Sequence, residues 1–135
     1  VAHIQGKIMK NQQKWLTSKL KGSWVDKDGL LEICIFESLV HFVEKERGLC
    51  DNLDELYKEQ LEKGYVTQET VDLIKTREGL LKHCYDWIKV ERVEIQKLLD
   101  SIEDWREYER IEQELYDEDS AVMKIIIEQR GYLWT

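Results

Sequence analysis

Not one proline occurs in the 135 residues. Proline breaks helices and marks turns and sheet edges, so its absence excludes a proline-punctuated, loop-rich fold and favours long helices with short connections. Cysteine is scarce as well. Cys34, Cys50 and Cys84 are odd in number and form no C-x-x-C pair. That pattern supports neither a disulfide framework nor a thiolate zinc site, and it reads as reduced thiols serving as small hydrophobes. Long apolar runs are missing too: the longest, at 33–36 and 125–127, are far short of the roughly 20 residues that cross a bilayer. The first residues, Val1 to Lys7, show no apolar stretch of the secretory type.

What is present is charge set against hydrophobicity, 36% and 42% of the residues. Such a balance suits amphipathic helices and argues against disorder. The length is that of one ordinary domain, able to bury a core without staples, so 1–135 is read as a single helical domain. Five helical segments are expected, at about 3–20, 28–47, 51–63, 67–99 and 101–129. Asp28 and Ser101 are candidate N-caps, the fourth segment starts near Thr67, and Gly48, Gly64 and Gly131 are stop signals. The second segment is the most apolar, with a narrow polar stripe, which predicts a central position. The fourth and fifth should form a long antiparallel hairpin turning near Asp100. The expected fold is therefore an all-α antiparallel bundle of about five helices with a long C-terminal helical hairpin.

The net charge of −8 is polarised. Residues 1–25 hold five lysines and no acid, whereas 103–119 hold nine acids and two arginines. On a helical wheel Lys7, Lys10, Lys14 and Lys21 fall within about 60°, away from Ile4, Ile8, Trp15 and Leu16. Glu103, Glu107, Glu114 and Glu118 form a similar stripe opposite Trp105, Tyr108, Ile111 and Leu115. Both stripes suit either solvation or contact with an oppositely charged partner, including a second copy of the chain. The lysine stripe has no arginine and no interleaved aromatics, which speaks against nucleic-acid binding. The end of the chain, Tyr132, Leu133 and Trp134, places three large groups where residues normally fray. A docked tail is expected there, either on its own bundle or on a partner.

Catalytic constellations are sparse. Asp26-Lys27-Asp28-Gly29 resembles half of a calcium loop, but neither frame supplies both the glycine and the final glutamate. Glu37, His41 and Glu44 share one stripe, yet one helix does not close a metal site. Glu91-x-x-Glu94 with Glu114-x-x-Asp117 resembles the E-x-x-E … E-x-x-D magnesium motif of the all-α nucleotide pyrophosphohydrolases, and that resemblance implies a magnesium cofactor. On the wheel, however, Glu114 and Asp117 point away from the apolar face. Glu91 and Glu112 instead fall within the apolar faces of the fourth and fifth segments. That placement predicts a pair of misplaced carboxylates that share a proton, bind a cation or find donors elsewhere.

Three stretches together resemble a family of uncharacterised tailed-bacteriophage proteins. They are Ser23-Trp24-Val25-Asp26-Lys27-Asp28 leading into Leu30-Leu31, the run Leu39-Val40-His41-Phe42-Val43-Glu44-Lys45-Glu46, and the tail from Tyr116-Asp117-Glu118-Asp119 through Arg130-Gly131-Tyr132-Leu133-Trp134-Thr135. Related chains often carry a histidine soon after the paired leucines, where this one reads Glu32-Ile33-Cys34. The resemblance implies a phage origin, in the virion or the infected-host cytoplasm, and no activity. The leading expectation is a non-enzymatic phage protein acting through protein–protein contacts or self-association, with no cofactor. The alternatives are a magnesium-dependent nucleotide pyrophosphohydrolase and an acidic inhibitor of a host nucleic-acid-binding enzyme.

Overall fold

The computed structural model describes residues 16, 27–46 and 48–133. The expected first helix and its lysine stripe (Lys7, Lys10, Lys14, Lys21), together with Trp134, lie outside these residues. The described residues are all-α, with no strand among them. α1 spans Lys27–Lys45, α2 Leu53–Leu56 and α3 Lys58–Glu62. A long helix follows, built from α4 (Gln68–Asp86), a π turn (Trp87–Glu91) and α5 (Arg92–Ser101). α6 (Trp105–Glu128) runs back along it, and a last turn, α7, covers Arg130–Leu133. None of these helices is long and apolar enough to cross a membrane.

The boundaries follow local chemistry. Gly64 adopts φ 72° and closes α3 with paired bonds, Gly64 N–H to Leu61 C=O (3.2 Å) and Tyr65 N–H to Gln60 C=O (2.9 Å). This is the left-handed glycine stop that the sequence predicts. Thr67 caps α4, its hydroxyl accepting from Thr70 N–H. The expected third helix is instead two short ones meeting at Tyr57. The hairpin turns at 102–104, and Asp104 rather than Ser101 is the N-cap of α6, accepting from Arg106 N–H at 3.1 Å. Gly131 lies within α7, and α6 ends at the Gln129 cap.

The core is a single cluster contributed by α1 (Phe36, Leu39, Phe42), the long helix (Leu81, Cys84, Trp87, Leu99) and α6 (Leu115, Val122, Ile126), closed by Leu133. Burial pushes the Cys84 thiol up to about 11, in keeping with a cysteine used as a hydrophobe. Only the C-terminal half of α1 is central. Its first turns leave Leu30 and Leu31 exposed.

The π turn resets the face of the long helix. A regular helix would carry Glu91 and Leu98 into the core. The extra residue rotates everything after it by about 100°. Leu98 is consequently 50% exposed while Leu99 is 7% exposed. In the same way Glu91 turns outward and Arg92 turns in.

Candidate functional site

Arg92 leaves the π turn directed between α1 and α6. Its Nε donates to both carboxylate oxygens of Asp119, at 2.9 and 3.0 Å, and its Nη2 donates to Glu32 Oε1. Trp87 Nε1 donates to Asp119 Oδ1 at 2.8 Å. The guanidinium also lies 5.4 Å from the centre of the Phe36 ring, a cation–π distance. Trp87 and Arg92 are five residues apart and would diverge by about 140° on a regular helix. The wider π turn brings both to one carboxylate.

Two carboxyls thus compete for one guanidinium. Asp119 is buried and receives three hydrogen bonds. Glu32 holds its proton up to about 7. Burial is the main cause, the hydrogen bond with Asp119 adds to it, and Arg92 pulls the other way.

The two carboxyls of this network, Glu32 and Asp119, line a groove of about 810 Å³ between α1 and α6. Its walls include Leu31 and Ile35 on one side and Tyr116, Met123 and Ile127 on the other; among the described residues its acids are Asp28, Glu32, Asp119 and Glu128 and its cation is Lys124. Leu31 and Tyr116 are each 60% exposed and Ile127 44%.

The carboxylates singled out from the sequence fare differently. Glu91 and Glu112 are both exposed, so the misplaced pair is corrected: the buried acids are Glu78 and Asp119. The π turn displaced Glu91. Glu112 sits two turns before Asp119 on α6, short of the stretch 116–128 that lines the groove with α1. Glu91 does share a 470 Å³ cleft with Glu114 and Glu118 between the arms of the hairpin, but Glu94, Glu112 and Asp117 do not line it. Arg110 holds Glu114 at 2.9 Å, and His83 Nε2 lies 3.8 Å from Glu118. Among the described residues no group of three His, Cys, Asp or Glu side chains is arranged to hold a metal ion. Glu44, from the α1 stripe, accepts from Tyr85 Oη (2.8 Å) and pairs with Lys89 (3.2 Å), and His41 Nδ1 meets Glu46 at 2.9 Å.

Of the acidic stripe, Glu103, Glu107 and Glu114 are exposed and Glu118 is half-buried, while Trp105 and Tyr108 on the opposite side are exposed as well. The tail docks at home in its described part. Leu133 enters the core and Tyr132 Oη donates to Glu78 Oε1 at 2.5 Å, while Arg77 stacks 5.8 Å from the Tyr132 ring. Glu78 Oε2 also accepts from Cys50 N–H at 3.3 Å. Sequence reasoning missed Glu32, Glu78, Arg92 and Asp119. Asp119 carried a signal, falling between Leu115 and Val122 on the apolar side of α6, and the other three did not.

The chain has no significant match to any protein family, curated protein or solved structure.

Proposed function

We propose that this chain is a phage protein that works through protein–protein contacts, as a virion component or a factor acting on the host. The observation that carries this reading is the clustering of Leu31, Tyr116 and Ile127, all well exposed, around one groove. Apolar groups gathered in this way, with acids at the edge, have the composition of an interaction surface. The phage assignment rests on the sequence resemblance alone. The test is capture of a partner from phage-infected cells by the full chain, compared with the Leu31→Lys, Ile127→Lys double variant. Both positions are exposed, so the variant should fold. A partner held equally by both chains sinks the groove as the contact surface, and no specific partner for either chain sinks the reading as a whole.

The magnesium-dependent pyrophosphohydrolase reading keeps one observation in its favour, the cleft shared by Glu91, Glu114 and Glu118. Magnesium-dependent release of pyrophosphate from a nucleotide, abolished by Glu91→Gln, would replace the contact reading with it.

A further inference from the structure

The α1–α6 groove has a shape and a charge that together select an occupant. It follows α6 from Tyr116 to Glu128, which at 1.5 Å per residue is about 18 Å, or some three helical turns. Its walls are two helices, and the space between them suits a third helix laid along the valley. The apolar lining (Leu31, Ile35, Met123, Ile127) asks for an apolar face. The acids Asp28, Glu32, Asp119 and Glu128 outnumber Lys124 among the described lining residues, and Arg92, bonded to Glu32 and Asp119, offsets part of that charge.

We propose that this groove receives a lysine-edged amphipathic helix from another protein molecule, with its apolar face on Leu31, Ile35, Met123 and Ile127 and one cationic side chain at Glu32. The inference rests on the contact reading above and names the chemistry of the partner. Asp119 is held by both Arg92 and Trp87 and its side chain is 8% exposed, whereas Glu32, bonded to Arg92, is 25% exposed, so Glu32 is the acid of the floor that an incoming cation reaches. The charged groups facing Glu32 are Arg92 from the long helix and Asp119 from α6, with Asp28 on its own helix and Lys124 and Glu128 along the opposite wall. Glu32 ionises near pH 7. The floor therefore becomes more negative between pH 6 and pH 8, and a cationic helix should bind more tightly at the upper end.

The probe is a fluorescent synthetic peptide of residues 1–25, which has the required pattern of lysines beside Ile4, Ile8, Trp15 and Leu16. The receptor is the full chain with Lys7, Lys10 and Lys14 changed to glutamate, so that its own copy of the pattern does not compete. Fluorescence anisotropy should show saturable one-to-one binding, weakened by salt and tightened about threefold or more from pH 6 to pH 8. Leu31→Lys with Ile127→Lys in the receptor should weaken it about tenfold or more. Glu103→Lys with Glu107→Lys, on the stripe away from the groove, should leave it within about twofold. The proposal is overturned by absence of binding, by equal binding of a peptide whose lysines are glutamates, or by groove variants that bind as the parent does. Binding lost only in the Glu103, Glu107 variant would move the basic partner to the acidic stripe, overturning the groove assignment while the contact reading stands.

Discussion

Arg92 reaches partners 60 and 27 residues away in sequence, Glu32 and Asp119. Removing it leaves Asp119 buried without a cation, with Trp87 and the protonated Glu32 as its partners. Arg92→Met should therefore cost about 3–5 kcal/mol in urea denaturation, the usual result of stranding one member of a buried pair. Adding Asp119→Asn should recover part of that loss, and a single-variant cost under about 1 kcal/mol would show that solvent reaches the carboxylate. Glu32 makes the fold pH-dependent. Folded, it keeps its proton up to about 7, against an ordinary value of 4.5. Between those values the folded state binds more protons than the unfolded, so this contribution is full below about 4.5 and is lost as pH rises toward 7. The carboxylate side chain is 25% exposed, so the loss should be about 1–2 kcal/mol, less than full linkage would give. Glu32→Gln should flatten the slope between pH 5 and pH 7.5. A wild-type stability that rises across that window would mean that Arg92 keeps Glu32 ionised.

The long helix shows why element-level reading succeeded in outline and failed in detail. Its existence was legible from periodicity and its start from Thr67. Its inward face was legible only as far as the π turn, because a wheel at constant pitch has no place for an extra residue. Glu91 was misplaced for that one reason. Glu78 was lost for another: it is covered by Tyr132 and the Cys50 backbone, partners that no local pattern announces. Deletion of Val90, which is exposed, tests the account. It would place Trp87 and Arg92 at i, i+4 in a regular helix, still on one face. The variant should melt within a few degrees of wild type. Deletion of exposed Gln96, past the turn, should be far more damaging, because it rotates Leu99 out of the core. Equal damage from both deletions would mean that the π turn does not act as a register shift.

At the scale of the whole molecule, the all-α class and the C-terminal hairpin were legible from the missing proline and the helical periodicity, although Ser101 was not the cap of the second arm. The central place of α1 was legible only for its second half, since the exposure of Leu31 depends on what lies opposite it. Deleting 132–135 should destabilise the chain by about 2–5 kcal/mol, because Leu133 is core and Tyr132 bonds Glu78. Unchanged melting on deletion would show the tail to be passive. The extra residue of the π turn has a further consequence, in inheritance. Chain length is copied in whole residues, so this feature is either present or absent in any descendant. Relatives that drop it should show a one-residue gap opposite 87–91 while retaining the glutamate, arginine and aspartate, because regular spacing restores the same reach. Those three residues would then be inherited as a set across the gap, and that joint inheritance would trace the lineage of the site where overall similarity has faded.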